Sequence, residues 1–456
     1  MLRIARAISW ICVFLLTGIL QTAEPAALKV GLAVRDITPD GPVWLNGYAA
    51  RDHASEKVDN ALKATAATFE HGAGERFVII GIDNCEVSRE FMAPVLEAIE
   101  KKHKLPPDAV ILVPSHTHSA PCLPDVLPAM FTFGPVEKER VAAYGERLRG
   151  VLVELVGAAI EDLKPATLEQ GKSRAGFAMN RRRAVAGRVD FGESPEAPAD
   201  RDVHVLKIAG PDGALRAIIY GYACHGTTIA GEEFYQVSGD YIGYARDHLE
   251  AVFPGARTLF LTGAGADSNP SPRGRLIFAK RHGLELAGAV AGVLGRPMEP
   301  VHGPIRRAFA RIDLPLGPSP SREKLVADSQ NKDPYIKNRA NLWLSMLDSG
   351  KELPRAVNYP MEVVRFGNDL TLFFMAGEVV VDYPIQIKRE FAAEHPWVVG
   401  YAFEVPCYIP TVRILKEGGY EADSSLIYYG IYGPLLDRTE GLIFENLREL
   451  VRKVKS

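Results

Sequence analysis

The sequence has 456 residues, of which 47% are hydrophobic and 24% are charged, and its formal net charge is -3. This balance excludes the strongly basic composition typical of nucleic-acid-binding chains, so we expect no nucleic-acid partner. The length would allow two or three domains. No repeat and no Pro/Gly/Ser-rich linker divides the chain, however, so the sequence favours one large domain over residues 28–456.

The N-terminus has the pattern of an export signal. Two arginines precede an apolar stretch at residues 7–20, and small residues follow up to position 27. The apolar stretch is shorter than the roughly 20 residues that a membrane-spanning helix needs. We therefore predict a signal peptide over residues 1–27 and an exported mature chain, periplasmic or secreted.

The cysteines are too few for a disulfide scaffold, since the chain has five and one of them, Cys12, lies in the predicted signal. The other four are Cys85, Cys122, Cys224 and Cys407. Cys122 and Cys407 could form a disulfide, but small buried thiols at the ends of secondary-structure elements are at least as compatible with the pattern.

Predicted elements alternate between strands and helices from the start of the mature chain. A strand at 28–34 is followed by a buried strand at 76–83, a helix at 87–104 and a strand at 109–113. This strand–helix–strand order indicates an α/β core with at least one parallel pair. Further strands are predicted at 203–208, 215–224, 258–261, 301–314, 363–366, 370–375 and 398–402, and helices at 136–163, 241–252, 275–294, 321–347, 383–393 and 441–455. The fold class we predict is α/β, with mixed sheets flanked by helices.

Two histidines follow the strand at 109–113. If the extended conformation continues through Thr117, His116 and His118 lie on the same face and can address one metal ion or substrate. Packed or hydrogen-bonded histidines are the alternative.

Two further polar residues follow predicted strands in the same way. His225 comes directly after the strand at 215–224, and Glu378 follows the strand at 370–375. If the two histidine-bearing strands share one sheet, its carboxyl edge brings His116 and His225 together. Two histidines and one glutamate make a plausible catalytic zinc set with a coordination position left for water, whereas Glu378 could equally be a simple exposed carboxylate.

Short motifs recur along the chain in a fixed order. They are Ser115-His116-Thr117-His118-Ser119-Ala120-Pro121, Asn180-Arg181, Tyr222-Ala223-Cys224-His225, residues 238–245, residues 263–270, Ala376-Gly377-Glu378, Tyr408-Ile409-Pro410-Thr411 and Tyr420-Glu421. In this order they resemble the motifs of the neutral/alkaline non-lysosomal ceramidases, whose THTHSGP segment corresponds to the first. The resemblance spans roughly residues 30–433.

This resemblance implies a zinc site and an activity. Carried over residue by residue, the zinc ligands are His116, His225, Glu378 and Tyr408, and the catalytic residues are His118, Arg181 and Tyr420. The implied reaction is zinc-dependent hydrolysis of a linear amide bond in ceramide or a related N-acyl lipid, with transient contact to a membrane surface. For Arg181, an ion pair that holds a loop is the alternative role.

Two alternatives to a ceramidase activity remain open. One is a metal-dependent hydrolase of another acyl amide or ester, and the other is a catalytically silent binding protein of the same fold. A serine hydrolase that uses Ser268 is a more distant possibility.

The chain departs from the family pattern at two places. Aligned on the following proline, Asn269 stands where the family has a serine implicated in catalysis, and Ser268 lies one residue earlier. The C-terminal immunoglobulin-like domain that these enzymes usually carry has no apparent counterpart. The apolar loop at 123–133 either lines a groove for an acyl chain or packs under the edge of the sheet.

Overall fold

The computed structural model describes residues 28–72 and 74–456, so the predicted signal peptide at 1–27 lies outside the described residues. The strands, in chain order, are β1 (Lys29–Asp36), β2 (Lys57–Val58), β3 (Lys63–His71), β4 (Glu75–Ile82), β5 (Val110–Pro114), β6 (Lys164–Pro165), β7 (Thr167–Arg174), β8 (Ala178–Asn180), β9 (Arg182–Val185), β10 (Arg188–Phe191), β11 (Asp202–Ala209), β12 (Leu215–Tyr222), β13 (Gln236–Val237), β14 (Arg257–Thr262), β15 (Ser268–Pro270), β16 (Glu299–Val301), β17 (Ile305–Pro315), β18 (Ala356–Phe366), β19 (Leu370–Met375), β20 (Glu378–Val379), β21 (Pro396–Val399) and β22 (Tyr408–Ile409). The α-helices are α1 (Arg89–His103), α2 (Pro135–Glu161), α3 (Asp240–Val252), α4 (Leu276–Leu294), α5 (Arg322–Ser329), α6 (Pro334–Asp348), α7 (Asp382–Glu390), α8 (Val412–Glu417) and α9 (Arg438–Lys455).

The first sheet has the strand order β5-β4-β3-β1-β6, and only β4 and β5 pair in parallel. Helix α1 connects these two strands, as the sequence predicts. Ser88 caps the helix by accepting a hydrogen bond from the Phe91 amide at 3.1 Å. The prediction lacks β3, because its small Ala and Thr residues give a weak apolar pattern even though seven of its nine positions are buried.

The second sheet has the order β14-β12-β11-β7-β16, with β12 and β14 parallel and connected through α3. Three of its strands were predicted from their apolar runs. The prediction lacks β7, whose polar sequence buries only two of eight positions. Tertiary pairing with β11, rather than a hydrophobic pattern, holds this strand in place.

The third sheet has the order β17-β18-β19-β21. The predicted hairpin around residues 367–369 is present as β18 and β19, and β21 pairs in parallel with β19 after helix α7. One apolar core includes Leu112 of the first sheet, Leu261 of the second and Phe374 of the third. Mixed sheets flanked by helices confirm the predicted fold class.

The prediction that the two histidine-bearing strands share one sheet is wrong. The strand before His116 is β5 of the first sheet, and the strand before His225 is β12 of the second. The sheets nevertheless meet at their carboxyl ends, where Thr262 Oγ1 donates to Pro114 O at 2.6 Å. An isolated parallel bridge between Thr117 and Gly226 joins the loops that follow the two strands.

Among the described residues, no helix combines the length and the apolar character needed to cross a bilayer. The four cysteines in this part of the chain are free and buried. The possible disulfide between Cys122 and Cys407 is therefore absent, and the interpretation as buried thiols holds.

Candidate metal and catalytic site

His116 reaches the site through a backbone turn. Strand β5 ends at Pro114, and His116 adopts the left-handed conformation with φ 58°. The expectation that the extended conformation continues through Thr117 is therefore wrong. The His116 ring donates from Nδ1 to the Cys85 carbonyl at 2.7 Å, and this hydrogen bond leaves the Nε2 lone pair for a ligand.

His225 and Glu378 converge on the same point from the other two sheets. His225 Nδ1 faces the Gly265 carbonyl at 3.4 Å, so its Nε2 also points away from the backbone. Glu378 Oε2 lies 3.3 Å from His116 Nε2 and 3.1 Å from His225 Nε2. In the described part of the chain this carboxylate oxygen has no hydrogen-bond partner, although it is buried.

Tyr408 lies beside this cluster. It begins β22, which pairs in parallel with β20 so that Glu378 and Tyr408 are register partners. The Tyr408 hydroxyl is 3.5 Å from His225 Nε2 and accepts a hydrogen bond from Arg181 Nη2 at 2.8 Å. The pairing of two-residue strands thus places Tyr408 next to Glu378 in the sheet and its hydroxyl beside His225.

The spacing of these atoms fits a single metal ion. Two atoms that each lie about 2.0–2.2 Å from a tetrahedral zinc are about 3.3–3.6 Å apart, and the separations of 3.3, 3.1 and 3.5 Å lie at or just below this range. The unpartnered Glu378 Oε2 is explained if a cation sits against it. Together, the ligand atoms of His116, His225 and Glu378 lie within 4.8 Å of one another.

The electrostatics of the site set the protonation states of two proposed ligands, His225 and Glu378. Burial, followed by the nearby Arg181 charge, lowers the pKa of His225 to about 3. Burial alone would raise the pKa of Glu378, but His116 and His225 outweigh it and hold that pKa well below its usual range. At neutral pH, His225 is therefore neutral and Glu378 is ionised.

His118 lies next to His116 but is not one of the proposed metal ligands. The two Nε2 atoms are 3.2 Å apart and the rings are nearly perpendicular. His118 Nδ1 has no hydrogen-bond partner among the described residues. Burial, followed by the neighbouring imidazoles, holds the pKa of His118 well below its usual value, so the ring is neutral at neutral pH.

Gly47 fixes the position of the His118 ring. Gly47 has φ +87°, and a Cβ at this position would lie 2.3 Å from His118 Nδ1. The Arg51 guanidinium holds the backbone of His118, because its Nη2 atom donates to the His118 carbonyl at 2.7 Å. The ring therefore has little freedom to move away from His116.

Arg181 is buried and lies in an ion pair while it also faces the site. Its Nε donates to Glu421 Oε1 at 2.8 Å, and its Nη1 donates to Asn269 Oδ1 at 3.2 Å. The same Nη1 atom is 3.1 Å from His225 Nε2. The structure thus brings together both roles considered for Arg181, loop anchoring and contact with the site.

Tyr420 lines the site from the Arg181 side. Its ring centroid is 5.5 Å from Arg181 Cζ and 5.4 Å from the Tyr408 ring. All seven residues named by the sequence motifs therefore lie in one cluster at the junction of the three sheets.

Asn269 and Ser268 point in different directions, as alternation along the short strand β15 requires. Asn269 Oδ1 accepts hydrogen bonds from Arg181 Nη1 and Thr227 Oγ1, both at 3.2 Å. Ser268 Oγ is buried without a partner in the described residues, and its backbone carbonyl accepts from the His225 amide at 3.0 Å. The side chain at the family serine position is thus Asn269.

Several residues of the site received no role from the sequence motifs. Tyr429 donates to Glu378 Oε1 at 2.5 Å, and Glu421 bridges Arg181 and Arg182. Tyr401 packs its ring 4.4 Å from that of His116. Among these, only Glu421 lies in a recognised motif, Tyr420-Glu421, although no role was predicted for it.

Comparisons with known proteins identify the family and the fold of this chain. The family model described as neutral/alkaline non-lysosomal ceramidase, N-terminal, matches residues 28–267, which include His116, His118, Arg181 and His225. A neutral ceramidase from Pseudomonas aeruginosa shares the fold with a TM-score of 0.71 and 19% identity, over 94% of this chain and 74% of that one. A ceramidase complexed with C2 matches with a TM-score of 0.70 and 20% identity, over 93% of this chain and 76% of that one. No curated protein matches the sequence. The family model covers more than half of the chain, and the chain belongs to the neutral/alkaline non-lysosomal ceramidase family.

Proposed function

We propose that this chain is a zinc-dependent hydrolase that cleaves the amide bond of ceramide or a related N-acyl lipid. The observation that carries the proposal is the convergence of His116 Nε2, His225 Nε2 and Glu378 Oε2 at the spacing of ligands around one ion. Tyr408 is the fourth proposed ligand. Two imidazole nitrogens favour zinc over calcium or magnesium, which prefer oxygen ligands.

When bound, zinc would supply a Lewis acid that polarises a carbonyl oxygen and makes water more acidic at neutral pH. The chain's own residues divide the remaining work. His118 lies beside the proposed ligands, and its Nδ1 atom has no hydrogen-bond partner in the described residues, so we assign to it the transfer of a proton to the leaving amine. Tyr420 packs against Tyr408, with ring centroids 5.4 Å apart, and we assign its hydroxyl the role of donor to an oxygen that becomes negative.

Arg181 would orient the substrate and hold Tyr408. Its contacts with Glu421, Asn269 and Tyr408 fix the plane of the guanidinium. Because a guanidinium has five N–H donors, at least one remains for a substrate oxygen. The buried positive charge also favours any negative charge that develops beside it.

The loop at 123–133 supports a lipid substrate. It lines a cavity of about 560 Å³ whose wall includes Leu127, Phe131 and Phe133 together with Leu342 of α6. This loop continues from the segment that carries His118. We propose that the cavity receives the acyl chain of the substrate. The enzyme would contact a membrane surface transiently to take up this lipid.

We further propose that residues 28–456 act as one exported catalytic domain.

A substrate panel tests this function. Purified protein is assayed with a short-chain fluorescent ceramide, a simple N-acyl amine and the matching acyl ester. Release of fatty acid from ceramide at the highest kcat/KM supports the proposal. Preference for the simple amide or the ester would favour a different acyl hydrolase, and binding without release of any product would favour a silent binding protein.

A further inference from the structure

The two oxygens of the Glu378 carboxylate have different surroundings. Oε2 faces His116 and His225 and has no hydrogen-bond partner in the described residues. Oε1 accepts a hydrogen bond from the Tyr429 hydroxyl at 2.5 Å. One oxygen is therefore occupied by the protein, and the other is left to face the imidazoles.

Tyr429 has a second carboxyl group behind it. Its hydroxyl oxygen is 3.4 Å from Oε2 of Glu86, which is buried. Within the described residues, the other Glu86 oxygen accepts a single long hydrogen bond, from Asn46 Nδ2 at 3.4 Å. Burial, followed by the nearby charge of Glu378, holds the pKa of Glu86 well above its usual range. A protonated Glu86 can donate to the tyrosine oxygen while that hydroxyl donates to Glu378.

The segment that carries Glu86 also orients the other side of the site. The preceding residue, Cys85, provides the carbonyl that accepts from His116 Nδ1. One turn after β4 thus supports a histidine directly and the glutamate through Tyr429. A rotated Glu378 side chain would present both oxygens to the imidazoles or turn them away, and the tyrosine hydrogen bond opposes both movements.

We propose that Tyr429, supported by Glu86, is a positioning residue that makes Glu378 a one-oxygen ligand for the metal. This inference rests on the proposed function, because it requires a metal between Glu378 and the two histidines. Hydrogen bonds to ligating side chains are commonly worth 10- to 100-fold in metal affinity. Tyr429 belongs to none of the motifs that identify the seven other site residues.

Zinc affinity, measured by competition with a chromophoric chelator, tests the proposal without reference to activity. We expect Tyr429→Phe to bind zinc about 10- to 100-fold more weakly than the parent protein. Tyr428→Phe is the matched control, since it removes the hydroxyl from a neighbouring, partly buried ring that packs against Tyr335, whereas the hydrogen bond to Glu378 comes from Tyr429. Its zinc affinity is expected to stay within about threefold, and zinc-free melting of both variants reports on folding.

Two variants of Glu86 separate positioning from simple packing. Glu86→Gln keeps a donor beside the tyrosine oxygen and is expected to retain zinc affinity, whereas Glu86→Leu is expected to lose it. Equal zinc affinity in Tyr429→Phe and the parent protein would overturn the inference and leave the proposed function intact. A parent protein that binds no zinc would overturn both.

Discussion

His225 Nε2 lies 3.1 Å from Glu378 Oε2, although the strands that lead to these residues belong to different sheets. Two buried groups of this kind are stable at such a distance only if a shared proton or a cation lies between them. The site thus lies where three sheets meet: His116 follows β5, His225 follows β12, and Glu378 follows β19. Tyr408 is the register partner of Glu378 in the short β20–β22 pair. This arrangement leads to several predictions.

His116→Ala is expected to abolish zinc binding and to lower kcat by more than about 100-fold, because one of the converging nitrogen ligands is lost. His302→Ala is the control, since this side chain is exposed and its one polar partner in the described part of the chain is Asp369. Metal analysis and ceramide turnover check both variants. A His116→Ala protein that is fully active without metal would refute the mechanism.

Gly47→Ala is expected to displace His118, because the added methyl group would lie 2.3 Å from Nδ1. Misplacement by about 1 Å can cost about 100-fold in rate, and we expect a fall in kcat with zinc content unchanged.

Gly213→Ala separates this effect from backbone strain. Gly213 has φ +80°, and no described atom lies within 4 Å of the added Cβ. The control introduces the same kind of strain away from the site, so its kcat should match that of the parent. Equal kcat in both variants would show that Gly47 does not hold the His118 ring.

Glu421→Gln should destabilise the fold by about 3–5 kcal/mol, since it removes the charge shared by two buried arginines, Arg181 and Arg182. The free energy of unfolding in urea measures this change. Glu390→Gln removes the partner of the exposed Arg448 and should cost less than about 1 kcal/mol. Similar values for the two variants would contradict the assignment of Glu421 as a buried anchor.

Ser268→Ala is expected to leave ceramide turnover within about threefold, because Ser268 Oγ has no partner in the described residues and is directed away from Asn269. Serine-directed reagents should likewise leave the activity unchanged. A variant that keeps its zinc but loses its activity would restore the serine hydrolase alternative.

The sequence patterns predicted which side chains lie close together, but not the backbone geometry and strand pairing that bring them there. His116 and His118 do come together, with their Nε2 atoms 3.2 Å apart, but His116 does so in a left-handed turn rather than in a continued strand. His225 reaches them from a second sheet. Sheet membership depends on which strands pair over long distances, and an apolar run carries no information about that.

The sequence motifs did not identify residues that act through hydrogen bonds to other side chains. Tyr429 and Glu86 reach Glu378 from two distant segments of the chain. Tyr429 follows no apolar strand, and Glu86 lies four residues beyond the end of β4, so none of the recognised motifs includes either residue. Strand β7 was missed for a related reason, since pairing with its neighbours and not its own composition makes it a strand.

Zinc dependence of ceramide hydrolysis tests the central claim most directly. Purified protein should contain one zinc per chain and should lose ceramide turnover when a strong chelator removes the metal. Turnover should return when stoichiometric zinc is added, and not when magnesium is added. Full turnover in protein shown to be free of metal would contradict the account.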